Sequence, residues 1–370
     1  MNQGVKRQRL NAPVSIVYGV NSFANDPCRS AATQGKEAWN GFCELESEPA
    51  LFNVMLREFG VKGVKVQEVV SLDEEMMAFL NKPVYGLIFL FRWREDDPNK
   101  QEASCPEGLW FANQTTSNAC ASVALLNIVN NIEGIELGEN LQHFKNFTMP
   151  FTPALRGDAI NNFEFVKRIH NSFARKMDML NSDLLLKYEA TSKRSRLGKY
   201  TQDENEMHAG FHFIAFVPAL GTVWKFDGLE RQPQALGHYT SDDDWLDLVK
   251  PNIRTKMEEY EEGQIEFSIL SLTQDPLPNL IGGSISESTF AEQLQEAIIG
   301  PDESYGLTRE RIDQSEIPTA CEEEYGTLSN EDLLQHRQHL VAQQQSLRIT
   351  IREEQQSLQA DDDYAAGRSI

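Results

Sequence analysis

The run PVYGLIFLFRW, residues 83–93, is the longest apolar stretch of the chain and constrains its fold most strongly. A membrane-spanning helix needs about 20 apolar residues, so this run is about half the required length. Its length and its aromatic and branched side chains suit a strand buried on both faces. Such a strand needs a sheet covered on two sides, so helices and further strands must flank it.

The neighbouring sequence supplies them from Trp39 to about Leu272. SEPALFNVMLREFGV predicts a helix with Ser47 as its N-cap and Glu48 and Pro49 in its first turn. VKVQEVVSL, residues 64–72, alternates like a strand, and QIEFSILSL, residues 264–272, reads as the closing strand. Two further helical segments are expected near 158–175 and 241–262. The fold class is therefore α/β in the broad sense (α+β).

Composition divides the remainder. Residues 1–37 are polar and aperiodic, and are expected to be a disordered lead to a folded unit over 38–275. Beyond Leu272 the Pro-, Gly- and Ser-rich TQDPLPNLIGGSISES, residues 273–288, reads as a linker, and residues 276–328 are expected to form an acidic linker. The segment 329–370 forms a helical extension, its helix expected over 329–360 with Ser329 as cap and no clear closing element beyond. Leu333, Leu340, Leu347, Ile351 and Leu358 make a thin stripe that Arg337 and Gln344 interrupt, which suits an interaction helix better than an autonomous coiled coil.

Of the net charge of −22, residues 281–370 carry −12, from 18 acidic and 6 basic side chains. An acidic chain is a poor nucleic-acid binder and suits a partner with a basic face. The N-terminus lacks the apolar core of a secretory signal, and five cysteines without paired spacing point to a reducing compartment. A soluble, intracellular protein with no membrane segment is expected. The short basic runs KRQR (6–9) and SKRSR (192–196) read first as solvated charge and only second as nuclear signals. Cys/His spacing of the metal-binding kind and Gly-rich phosphate loops are both lacking, so no metal or organic cofactor is expected.

The chemistry is concentrated in two places. NQTTSNACASVALLNIVNN, residues 113–131, puts Cys120 where an apolar helix begins. A helix N-terminus favours thiolate over thiol, although on this stretch alone a small buried cysteine is the commoner reading. In FHFIAFVPALGTVWKFDG, His212 lies inside an apolar strand that PALGT turns into a second strand ending at Asp227. A hairpin with Val217 opposite Val223 would set His212 against Asp227 or Gly228, within one residue of register. Thiol, imidazole and carboxylate together make a nucleophile, its base and an orienting group. Gln114, six residues before Cys120, can offer an amide N–H to a developing oxyanion along with the Cys120 backbone N–H.

With these residues in view, the sequence resembles the ubiquitin C-terminal hydrolase family of thiol proteases over roughly residues 38–275. The likeness lies in GFCELESEPALFNVMLREFGVKGVKVQEVVSL, PVYGLIFLFRW, NQTTSNACASVALLNIV, NSFAR and FHFIAFVPALGTVWKFDGLERQP. It implies a papain-related fold, a mostly antiparallel central sheet flanked by helices with a knotted chain path, followed by the acidic helical tail. It implies Cys120 as nucleophile, His212 as general base and acid, Asp227 as its orienting partner and Gln114 as oxyanion donor. The expected activity is a cytoplasmic and nuclear deubiquitinase that takes ubiquitin and its conjugates as substrates. The long tail resembles the larger, proteasome-associated branch, whose extension docks on a ubiquitin receptor of the regulatory particle. The segment before His212 corresponds to the loop that crosses over the active site, and here it is long. Two rival readings are a catalytically vestigial ubiquitin-binding scaffold working through its tail, and a hydrolase of another ubiquitin-like modifier.

Overall fold

The computed structural model describes residue 39 and residues 41–93, 96–175, 178–180, 211–240, 242–258, 267–281 and 330–369. The expected lead over 1–37, both basic runs, nearly all of the crossing loop, the linker beyond residue 281, Cys28 and Cys321 lie outside the described residues.

The apolar run forms β2 (Val84–Arg92), third in a six-stranded antiparallel sheet of order β1-β6-β2-β3-β4-β5. Around it lie β1 (Val64–Glu68), β3 (Phe211–Ala219), β4 (Thr222–Phe226), β5 (Gln234–His238) and β6 (Ser268–Gln274). The helices are α1 (Pro49–Phe59), α2 (Glu74–Met77), α3 (Cys120–Val129), α4 (Glu139–Thr148), α5 (Pro153–Asn161), α6 (Glu164–Asn171), α7 (Leu246–Glu258) and α8 (Asn330–Ser369).

Side-chain alternation explains why the run is apolar throughout. Ile88 of β2 joins Phe213 and Ala215 of β3 in a core with α1, α3 and α6. Leu87, Phe89 and Phe91 join Ile214 and Phe216 in a second core under α7, with Trp245, Val249 and Ile253. Both faces of the sheet are covered, so β2 is apolar throughout from Leu87 to Phe91. Gly86 is what lets α3 lie close to β2. A Cβ there would sit 2.6 Å from Ile128 Cγ2.

Several boundaries differ from expectation for identifiable reasons. Glu48, not Ser47, is the N-cap of α1, because the Ser47 hydroxyl donates instead to Ser268 Oγ at 2.7 Å. The segment expected as one helix over 158–175 is two, since Thr152 caps a helix that starts at Pro153, and the chain leaves helical geometry at Asn162 and Phe163. The tail helix runs past residue 360 to Ser369. Its last turns are held by the folded unit. Asp361 accepts from Asn53 Nδ2 at 2.9 Å, Asp362 pairs with Arg57, Glu354 pairs with Lys65, and Ala365 is buried in the first core. These contacts make DDDYAAGRS helical where its own sequence offered no such signal.

Candidate active site

Cys120 is the first residue of α3, preceded by Ala119 and by Asn118 in left-handed geometry at φ 61°. First-turn N–H groups of a helix have no intrahelical partners, so the thiol sits where backbone donors converge. Asparagines on α3 and just beyond its end fix the segment leading into it. Asn127 accepts from the Ala112 N–H at 2.8 Å and donates to its carbonyl at 3.2 Å. Asn131 does the same for Trp110, at 3.0 and 2.7 Å. Below Cys120, the Ser122 hydroxyl donates to His170 Nδ1 at 2.7 Å, and His170 Nε2–H donates to the Cys43 carbonyl at 2.8 Å. Burial holds this imidazole down to about 4, against the smaller upward pull of its bond to the Cys43 backbone, so His170 is neutral and ties α3 to α6 and the segment before α1.

His212 and Asp227 come together as the sequence suggests, in a register one residue away from the expected one. Val217 pairs with Trp224, and Leu220 and Gly221 form the turn with φ values of 53° and 70°. The ladder ends at Ala215–Phe226, and His212 pairs across the other edge with Phe91. Asp227 then bends back to accept from His212 Nε2–H at 2.7 Å and from the Leu229 N–H at 2.9 Å. With Nε2 so engaged, Nδ1 is the ring nitrogen left for the Cys120 sulfur, whose influence helps raise the imidazole pKa.

Both His212 and Asp227 are nearly inaccessible, at 4% and 2% exposure. Burial disfavours the charge on His212, but Asp227 and the Cys120 sulfur outweigh it and hold the imidazole up at about 9. Burial likewise opposes ionisation of Asp227, and His212, the Leu229 N–H and Lys225 together keep its carboxyl below the usual range.

Gln114 is joined to the same turn. Its N–H donates to the Gly228 carbonyl at 2.8 Å, while Asn113 Nδ2 donates to the Glu230 carbonyl at 2.6 Å. Gln114 Nε2 uses one N–H on the Thr116 carbonyl at 3.0 Å, which orients the amide. A Cβ on Gly228 would lie 3.0 Å from Gln114 Cβ and 3.1 Å from its backbone nitrogen, so a larger residue would have to push the Gln114 segment away.

No sequence signal marks Asn113, Gly228 or the Ser122–His170 pair as supports of the site. One signal was readable: Lys225 stands in an otherwise apolar strand, and a buried lysine requires partners. Among the described residues, no group of three His, Cys, Asp or Glu side chains is arranged to hold a metal ion, and no helix is long and apolar enough to cross a membrane.

Comparison with known proteins places the chain in a family. Residues 42–258 match the family model described as "Ubiquitin carboxyl-terminal hydrolase, family 1". A Dictyostelium discoideum relative, ubiquitin carboxyl-terminal hydrolase isozyme L5, is 38% identical over 235 residues, which are 64% of this chain and 62% of that protein. The Caenorhabditis elegans hydrolase ubh-4 is 34% identical, with 65% of this chain and 71% of that protein covered. The Trichinella spiralis UCH37 catalytic domain bound to ubiquitin vinyl methyl ester is a structural neighbour with TM-score 0.50 and 32% identity, covering 65% of this chain and 99% of that one. A structure of UCH37 from the same organism, with the same ligand, has TM-score 0.52 and 26% identity, covering 84% of this chain and all of that one. By fold, by site and by likeness, the chain belongs to the ubiquitin carboxyl-terminal hydrolase family 1.

Proposed function

We propose that the protein is a deubiquitinase that hydrolyses amide, isopeptide or ester bonds at the C-terminal glycine of ubiquitin through a Cys120 thioester. The observation that carries this reading is the chain Cys120–His212–Asp227, with Asp227 fixed at 2.7 Å and the Gln114 segment bound to the same turn. The Trichinella relatives bound to a ubiquitin ester support ubiquitin as partner.

Cys120 Sγ adds to the glycine carbonyl carbon. The charge that develops on the carbonyl oxygen is met by the second N–H of Gln114 Nε2 and by the Cys120 backbone N–H. The His212 imidazolium passes its proton to the leaving nitrogen or oxygen, that bond to the carbonyl carbon breaks, and a thioester remains. Neutral His212 next takes a proton from water as the water oxygen adds to the thioester. The C–S bond breaks, the ubiquitin carboxyl group is released, and the thiolate–imidazolium pair is restored. Asp227 keeps Nε2 protonated throughout, so that Nδ1 always faces the sulfur.

Hydrolysis of a ubiquitin–fluorophore adduct tests the reading, together with covalent labelling by an electrophilic ubiquitin probe. Turnover and labelling that both vanish in Cys120→Ala are the expected result. Binding of ubiquitin without turnover or labelling would favour a scaffold, and preferential labelling by a probe built on another modifier would redirect the substrate. Docking of the extension on a proteasome ubiquitin receptor belongs to the same proposal, and co-purification of the full chain with proteasome particles tests it.

A further inference from the structure

Behind the Cys120–His212–Asp227 chain lies a buried ionic cluster that the reaction scheme above does not use. Lys225, on β4 two residues before Asp227, is 1% exposed. Its Nζ donates to Asp96 Oδ2 and to Glu230 Oε1, the latter at 3.0 Å. Lys256 of α7 donates to the same Asp96 oxygen at 3.0 Å, with its Nζ 5.5 Å above the Phe91 ring. Phe91 is the β2 partner of His212, their rings 6.5 Å apart. Glu230 closes the Asp227 turn, its N–H donating to the Asp227 carbonyl at 3.1 Å.

A buried ion network is expensive, and apolar side chains of similar volume would stabilise this fold at least as well. Asp96 has a second cation in Lys256, so its charge does not by itself require Lys225. The arrangement makes sense as a set of three carboxylates, Asp96, Glu230 and Asp227, facing three cations, Lys225, Lys256 and protonated His212. Lys225 is the member placed between the catalytic turn and the rest.

Building on the catalytic reading of Cys120, His212 and Asp227, we propose that Lys225 is a positioning residue, acting through Asp227 to keep that carboxylate ionised and available to His212. Against burial, His212 and then the Leu229 N–H lower the Asp227 carboxyl pKa most, and the charge of Lys225 adds to them. Removing the Lys225 cation should therefore make the Asp227 carboxylate easier to protonate without breaking its contact with His212.

The test is a pair of NMR titrations on the full chain, one following aspartate carboxyl carbons and the other histidine ring nitrogens. The Asp227 resonance is assigned by its loss in Asp227→Asn. In Lys225→Met the Asp227 midpoint should rise by about one pH unit, the smaller end of what one nearby opposite charge supplies. The His212 midpoint should stay at about 9, and Lys225→Arg should return Asp227 to its parent value. An unmoved Asp227 midpoint overturns the proposal. So does a fall of the His212 midpoint alongside it, which would mean that Lys225 only holds the turn in shape. Where Lys225→Met does not fold, Lys225→Gln, which keeps a donor for Asp96 and Glu230 without the charge, carries the same expectations. These titrations need no substrate, so a parent protein unable to hydrolyse ubiquitin adducts would sink the functional reading and leave this outcome separately readable.

Discussion

His212 and Asp227 meet at 2.7 Å at a level where their two strands no longer pair, the last rung being Ala215–Phe226. The contact is made by the turn after β4, which frees Asp227 from the pleat and aims it at the imidazole. Asp227→Asn therefore removes charge and tautomer control while leaving the turn its backbone bonds. Turnover of a ubiquitin adduct should fall by about 10⁴-fold, as for the orienting carboxylate of other triads, with ubiquitin affinity little changed. Steady-state kinetics beside a binding titration check the split.

The raised His212 pKa predicts an alkaline loss of stability. A histidine held at about 9 in the folded protein, against roughly 6.5 when unfolded, stabilises fully below pH 6.5 and loses that contribution as pH rises through 9. The difference is on the order of 3 kcal/mol, being about 2.5 pKa units. Urea unfolding of the parent chain in the presence of a reductant should show stability falling between these pH values. The slope should be flatter when Asp227→Asn is added.

His170 predicts the opposite limb. Its pKa of about 4 lies below the unfolded value, so the unfolded chain takes up a proton first. Stability should be complete above pH 6.5 and decline as pH falls towards 4. Unfolding midpoints between pH 7 and 4 measure it. His170→Gln, with no proton to gain, should be less stable at pH 7 and should flatten that decline.

Gln114→Ala should lower turnover by about 10²–10³-fold with little change in KM, the usual loss for one oxyanion donor. Gly228→Ala should also reduce turnover while every catalytic side chain is retained, because its Cβ would meet Gln114 at 3.0 Å. Weakened ubiquitin binding with unchanged turnover in Gln114→Ala would assign the amide to recognition.

Deleting residues 330–369 should lower the melting temperature and leave some hydrolysis of a small adduct. The helix caps Asn53, Arg57 and Lys65 and buries Ala365, yet the Cys120–His212–Asp227 set lies wholly outside it. Differential scanning calorimetry beside a fluorophore assay checks both halves.

The legible parts of the molecule were those where periodicity and chemistry agree locally. PVYGLIFLFRW could be little other than a buried strand, and a histidine and an aspartate on a hairpin of the right length were bound to be neighbours within one residue. What escaped was set by contacts distant in sequence. The edge strand β5, QALGH, has no alternating apolar pattern and exists because β4 offers it a ladder. Ser47 lost its cap role to Ser268, more than two hundred residues away. The last turns of α8 are helical because α1 and β1 receive them. Asn127, inside an apolar helix, and Asn131, just past its end, hinted at backbone pairing without saying with what.

Gly86 gives the molecule a sensitivity that its chemistry would not suggest. The depth at which α3 lies on the sheet depends on the absence of one methyl group opposite Ile128, eight residues from Cys120 and therefore about 12 Å along the helix. In a complete mutational scan scored by ubiquitin cleavage, residue 86 should rank beside the reacting groups for intolerance, although it meets neither substrate nor base. Its loss profile should be suppressible by trimming Ile128 to a smaller side chain, whereas no second change should restore a chain without its sulfur.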